Sequence, residues 1–182
     1  MAVARGGAKA IATGSWSVAG AFGFGDGEAL PLDLVIANLE RLVAAVDLPV
    51  SLDFEAGYGR SAAEVGANAA RVAAAGAVGI NLEDRIIGGE GLQSVADQAA
   101  RIAAAAATGL FVNARTDSFL KAKAETHDDA MVDAALERAR AYRDAGAACF
   151  FAPGLVDDRL IGRLCAACDL PVNVLVFPAI PP

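Results

Sequence analysis

At 182 residues, 55% of them hydrophobic, the chain is long enough to bury a sizeable core. It is shorter than the roughly 250 residues typical of a complete eight-fold α/β barrel. A net charge of −7 and a pI near 4.6 argue against nucleic acid and anionic membrane as partners, but not against an anionic substrate, since a divalent cation or an arginine reverses the field locally.

The first residues carry no apolar leader, and no apolar stretch is long enough to span a bilayer, so the expectation is a cytoplasmic protein. A first strand is predicted over 8–13. Gly20, Gly23, Gly25 and Gly27 follow it, without the spacing of a dinucleotide fingerprint and without the Gly-Lys-Ser/Thr of a P-loop. They read as a glycine-rich loop whose first carboxylate is Asp26. A helix over 31–46 carries Val35, Ile36, Leu39, Leu42, Val43 and Val46 at steps of three and four, a stripe that packs on a sheet.

The second strand, 50–53, ends in Asp53-Phe54-Glu55. A helix over 62–75 follows, with Ser61 as N-cap and Gly76 past its end. The third strand, 78–83, ends in Asn81-Leu82-Glu83-Asp84 and leads to a helix over 92–106, closed by Gly109. The fourth, 110–114, runs into Arg115-Thr116-Asp117. His127, the sole histidine, reads as a solvated or capping residue before a helix over 128–145, which stops at Gly146. A fifth strand, 148–152, meets Pro153-Gly154, and a helix over 157–168 with Asp157 as N-cap precedes a sixth strand at 172–176. Cys165 and Cys168 have redox-motif spacing, but they sit within that helix with only Ala166 and Ala167 between them and read as packing residues; with Cys149 they make no disulfide framework.

Six strands alternating with five helices predict an α/β fold with a parallel sheet and right-handed crossovers, in one domain over 1–182. The strands read as apolar runs without clean alternation, as expected of parallel strands covered by helices. Asp53, Glu83 and Arg115 follow one another at intervals of 30 and 32 residues, one βα unit each, so they recur at the same end of successive strands. Polar groups gathered at that end are what a metal-assisted active site in a (β/α) barrel requires, but the alternation alone leaves barrel and open doubly wound sheet both standing.

Asp53, Glu55 and Glu83, with Asp84 adjoining, are hard oxygen ligands suited to Mg²⁺ or Mn²⁺. Arg115 reads either as a group that holds a substrate carboxylate or a developing enolate, or as the partner of Asp117 or Glu83 in an ion pair. Asn81 and Asn113 supply neutral donors or satisfy backbone. Lys9, Lys121 and Lys123 are the only lysines and none ends a predicted strand, which disfavours Schiff-base chemistry and favours metal-assisted enolate chemistry.

These segments resemble the isocitrate lyase and phosphoenolpyruvate mutase superfamily. The resemblance rests on Ala10-Ile11-Ala12-Thr13-Gly14-Ser15, Gly23-Phe24-Gly25-Asp26-Gly27, Asp53-Phe54-Glu55-Ala56-Gly57-Tyr58-Gly59, Gly79-Ile80-Asn81-Leu82-Glu83-Asp84, Asn113-Ala114-Arg115-Thr116-Asp117 and Pro171-Val172-Asn173-Val174. It implies a (β/α)8 TIM-type barrel, here six strands and five helices of it, and a Mg²⁺-dependent lyase or mutase-like enzyme that breaks a C–C or C–P bond of a small 2-oxo or 2-hydroxy acid through an enolpyruvate-like state. By position, Asp53 is the direct metal ligand, and Glu55 and Glu83 hold metal-bound waters. Ser15 and the Trp16 N–H bind the substrate carboxylate, with Asn113 and Asn173 lining the substrate site. Arg115 steadies negative charge, and Asp26 borders the reacting group. The resemblance also implies a homo-oligomeric full-length parent.

Two departures bear on the reaction. The Lys-Lys-Cys-Gly-His-type segment of isocitrate and methylisocitrate lyases is replaced by Arg85-Ile86-Ile87-Gly88-Gly89-Glu90-Gly91, and Pro153 stands where those lyases carry a glutamate. The expected barrel is also incomplete at both ends. The competing reading is a catalytically inactive barrel fragment or interaction module that keeps at most metal or carboxylate binding; a phosphate-binding barrel of another type, prompted by the glycine loop, is a third.

Overall fold

The computed structural model describes residues 2–175. The last residue of the sixth predicted strand, Val176, lies outside them. A short helix α1 (Ala2–Arg5) precedes β1 (Ile11–Ala12), α2 (Ser15–Ala21) and α3 (Leu32–Ala45). Then β2 (Val50–Asp53), α4 (Ala62–Ala74), β3 (Gly79–Glu83), α5 (Val95–Ala106) and β4 (Phe111–Arg115) alternate. A 3₁₀ turn (Ala124–Thr126), α6 (Asp129–Asp144), β5 (Cys149–Phe151), α7 (Asp158–Ala167) and β6 (Val172–Asn173) complete the described chain.

All neighbouring strands are parallel, and their spatial order is β1-β2-β3-β4-β5-β6. A doubly wound sheet reverses its strand order at a switch point; this sheet never does. With right-handed crossovers, sequential order sets every connecting helix on one face, and α4 to α7 accordingly pack each on the next. The sheet is therefore part of a TIM-type barrel, with β1 and β6 at its edges among the described residues.

Strand by strand, the side chains alternate more strictly than the sequence reading expected. Val50, Leu52, Ile80, Leu82, Val112, Ala114 and Phe150 are buried beneath the helices. Ser51, Asp53, Asn81, Asn113, Arg115 and Phe151, at the intervening positions of β2 to β5, are only partly buried and face the barrel interior. The expectation of unalternating strands was wrong because only the helix-covered face needs to be uniformly apolar.

Predicted caps form where expected. Ser61 and Glu64 make a capping box, Asp157 accepts from Leu160 N–H, and Gly76, Gly109 and Gly146 adopt positive φ past helix ends. Two elements differ from the reading. The unpredicted helix α2 takes in Gly20, while Gly23, Gly25 and Gly27 form the expected loop, and α5 starts at Val95 because Leu92 instead pairs with Arg85 in an isolated antiparallel bridge. His127 is half-buried and does not cap α6. Its ring packs edge-on against Phe119 and its Nε2 meets the Phe119 carbonyl at 3.0 Å, while Asp128 caps α6.

One buried carboxylate ties the strand ends to the helix layer. Asp84, fully buried, accepts from Asp117 N–H at 2.9 Å through Oδ1, and from the Tyr142 hydroxyl at 2.9 Å and Arg138 at 3.2 Å through Oδ2. Replacing Asp84 by alanine removes the acceptor of all three and leaves Arg138 only the Gln93 carbonyl and the Tyr142 hydroxyl, so we expect a loss of about 3 kcal/mol of unfolding free energy. Urea denaturation at neutral pH measures it, and a loss under about 1 kcal/mol would show that the hub carries little weight.

Candidate active site

Asp53 is the last residue of β2. Its backbone N–H donates to Thr13 Oγ1 at 2.8 Å and its Oδ2 accepts from the Ser15 N–H, the first of α2, at 2.8 Å. The other oxygen, Oδ1, is buried and has no hydrogen-bond partner among the described residues. A buried, unpartnered carboxylate oxygen is costly unless something cationic meets it.

Glu55 lies two residues beyond, at the start of a turn that continues through Gly59. It is 4% exposed, and both of its oxygens are engaged, Oε2 by the Glu28 N–H at 2.7 Å and Oε1 by the Tyr58 hydroxyl at 2.8 Å. Glu83 ends β3, directly across the register from Arg115. Arg115 bridges two carboxylates: its Nη1 lies 3.0 Å from Glu83 Oε2 and its Nε donates to Asp117 Oδ1 at 2.6 Å. Both ion pairs left open by the sequence are thus present, and the guanidinium also lies over the Phe151 ring at 6.0 Å. Its Nη2 is left without a partner among the described residues.

Burial pushes the Glu83 carboxyl up to about 8 against the pull of Arg115, and Asp117, Asp53 and Glu55 push in the same direction as burial. The site therefore holds more carboxylates than its one arginine neutralises. Such an excess is what a bound divalent cation relieves.

The remaining expected residues fall around this group. Asp26, on the loop before α3, accepts weakly from Ser15 Oγ at 3.4 Å and lies 3.8 Å from Arg85. Trp16 stands beside Ser15 at the start of α2, with its side chain exposed. Asn113 and Asn173 belong to a polar ladder across the interior: Asn113 Nδ2 donates to Asn81 Oδ1 at 2.7 Å, and Asn173 Nδ2 donates to Asn113 Oδ1 at 3.0 Å. Asn113 thereby keeps one N–H for a ligand, while Asn173 is exposed. The Asp84 carboxylate points into the helix layer, away from the group, and touches it only through the Asp117 N–H.

No group of three or more His, Cys, Asp or Glu among the described residues is gathered tightly enough to form a ready-made metal cage. A cage is not what Mg²⁺ requires, because it keeps several waters and binds through one or two carboxylates. One carboxylate with a free buried oxygen, backed by two more that are already oriented by hydrogen bonds, fits that habit. A cleft of about 480 Å³ opens beside the group and is lined by Glu28, Tyr58, Arg60, Ile86 and Arg101. It shares Glu28 and Tyr58 with the site, but the carboxylates themselves decide where the chemistry belongs.

Phosphoenolpyruvate phosphomutase is the family whose model matches this chain, over residues 1–181. The chain belongs to that family. Among solved structures it is 49% identical, with a TM-score of 0.94, to "a putative phosphonomutase" from Burkholderia cenocepacia J2315, covering 99% of this chain and 74% of that one. A "putative lyase/mutase" from the same organism is 33% identical, with a TM-score of 0.83, over 95% of this chain and 62% of the other. The phosphonopyruvate hydrolase solved with oxalate and Mg²⁺ shares the fold at 19% identity and a TM-score of 0.80, over 96% of this chain and 62% of that one. No curated protein matches. No helix among the described residues is long and apolar enough to cross a membrane.

Sequence reasoning missed the supports of the site. Thr13 and Tyr58 stood in quoted motifs without a role, and Glu28 had none. Arg101, on α5, is 6% exposed and donates to the carbonyls of Ala56, Gly59 and Arg60 at 3.2, 3.1 and 2.7 Å, pinning the turn that follows Glu55. An arginine in a helix gives no local sign of such a task. Arg101→Met keeps the apolar stem and removes these bonds, so we expect amide exchange in 56–60 to quicken at least about tenfold; unchanged exchange would show that the turn holds itself.

Proposed function

We propose that this chain carries the metal- and acid-binding centre of a Mg²⁺-dependent lyase or mutase-like enzyme. Its substrate is a small 2-oxo or 2-hydroxy carboxylic acid, cleaved at a C–C or C–P bond through an enolpyruvate-like state. The observation that carries this reading is the buried, unpartnered Asp53 Oδ1, set among Glu55, Glu83 and Arg115 at the strand ends. Family membership and the fold shared with a hydrolase bound to oxalate and Mg²⁺ support it. The solved structures cited are longer than this chain, so the reaction is proposed for the complete enzyme.

Asp53 would hold Mg²⁺ or Mn²⁺ directly, with Glu55 and Glu83 acting through water. When bound, the cation polarises a substrate oxygen and offsets the charge that develops as the bond breaks. Arg115, held in place by Glu83 and Asp117, binds the acid and steadies the same negative charge. Ser15 Oγ and the Trp16 N–H take the carboxylate at the start of α2, and Asn113 and Asn173 offer uncharged donors from the interior ladder. Asp26 faces the reacting end of the substrate from its loop. Arg85-Ile86-Ile87 supplies no cysteine acid, which moves the proposal away from isocitrate itself.

A second reading, a catalytically inactive barrel portion that still binds, is favoured by the open edges of the sheet at β1 and β6 among the described residues. Ligand binding without turnover of any 2-oxo or 2-hydroxy acid in a substrate panel selects it.

Thermal unfolding tests the shared core of both readings. With Mg²⁺ and oxalate present at about 100-fold over their dissociation constants, the melting temperature should rise by about 5–10 °C, and oxalate should act only when metal is present. Asp53→Asn should abolish both effects while unfolding cooperatively. A metal-independent oxalate shift, or an undiminished shift in the variant, would remove the role assigned to Asp53.

A further inference from the structure

Among the described residues, three other than glycine adopt left-handed backbone: Glu28 at φ 59°, Glu55 at φ 49° and Tyr58 at φ 54°. Such residues are uncommon, and strained backbone collects where a structure must hold a group against its own preference. Here the three are bonded to one another in a closed ring. The Glu28 N–H donates to Glu55 Oε2 at 2.7 Å, the Tyr58 N–H donates to Glu28 Oε1 at 2.7 Å, and the Tyr58 hydroxyl donates to Glu55 Oε1 at 2.8 Å. Each oxygen of Glu55 is thus set by a donor that another strained residue carries.

The surroundings hold the ring in place. Gly57, between Glu55 and Tyr58, has φ 96°, and a Cβ there would lie 2.8 Å from Val65 Cγ1. Asn68 Nδ2 donates to the Tyr58 carbonyl at 2.8 Å, and the Tyr58 ring lies 5.9 Å from that of Phe54. The turn at 55–59 is fixed from below by these contacts and by Arg101. Its only side-chain tie to the glycine-rich loop among the described hydrogen bonds is through Glu28.

We propose that Glu28 is a positioning residue for the metal centre. Its carboxylate holds the Tyr58 N–H so that the Tyr58 hydroxyl reaches one oxygen of Glu55, while its own N–H takes the other. Glu28 stands two residues after Asp26, so the same bonds that orient Glu55 also fix where the loop presents Asp26. The metal site and the loop are therefore set by one contact rather than two. This inference rests on the reading of Glu55 as part of the Mg²⁺ site.

The test is Mn²⁺ affinity, read from the free-ion EPR signal, for wild type, Glu28→Gln, Glu28→Ala and Tyr58→Phe. Glutamine keeps an oxygen for the Tyr58 N–H but shares with alanine the loss of charge, so the two variants separate hydrogen bonding from electrostatics. Removing an outer partner of a ligand costs about 10- to 100-fold in metal affinity, which is the loss expected for Glu28→Ala; Glu28→Gln should stay within about threefold of wild type. Exchange of the Tyr58 amide, measured without metal, should quicken in Glu28→Ala and not in Glu28→Gln. A Glu28→Ala protein with faster exchange but wild-type Mn²⁺ affinity would overturn the positioning role and leave the metal site standing. Absence of Mn²⁺ binding by wild type would overturn both. If Glu28→Ala does not fold, Tyr58→Phe decides, since it deletes only the hydroxyl bond: an affinity at least about tenfold weaker supports the proposal, and an unchanged one overturns it.

Discussion

Everything at the candidate site depends on register. Because side chains alternate along a strand and neighbouring strands here are parallel and in sequential order, one choice of pairing sends every second residue of β2 to β5 into the interior together. Asp53 then stands across from Asn81, and Glu83 from Arg115. A slip of one residue would turn Leu52, Leu82 and Ala114 inward and bury the carboxylates and the arginine under helices. The cost of burying that charge, added to the cost of taking the leucines out from under the helices, enforces the pairing.

The same alternation separates two adjacent acids into different tasks. Glu83 faces the interior and meets Arg115; Asp84 faces the helices and gathers Asp117, Tyr142 and Arg138. Asp117 joins the two sides, since its N–H bonds Asp84 while its carboxylate holds Arg115. The arginine is therefore braced from the helix layer as well as from the strand beside it. A guanidinium held in this way needs little rearrangement to meet developing charge, which is how preorganised sites lower a barrier. Asp53 is the contrast, with one oxygen set by Ser15 and the other left bare.

Much of this was legible in the chain itself. Val50-Ser51-Leu52-Asp53 is branched, apolar and stopped by acid, and it forms β2 with those bounds. Ser61 with Glu64 announces a helix start, and Arg115 announces a charge at a strand end, because each depends only on neighbours in sequence. The interior face was misread: the polar residues Ser51, Asn81 and Asn113 had the period of two, but the burial of the strands by helices was given more weight. The Glu28, Glu55 and Tyr58 ring was out of reach, since left-handed backbone at three non-glycine residues is imposed by contacts between segments 30 residues apart, Glu28 to Tyr58. His127 was misplaced for a like reason, its ring being held by Phe119 across a loop.

Asp53 Oδ1 is the proposed point of entry for a divalent cation. Diffraction from crystals soaked in Mn²⁺, with an anomalous difference map for wild type and for Asp53→Asn, examines that atom directly. One dominant peak is expected within direct-coordination distance of Asp53 Oδ1, with Glu55 and Glu83 reached through water, and no such peak in the variant. A dominant peak elsewhere, or the same peak in Asp53→Asn, would contradict that proposal.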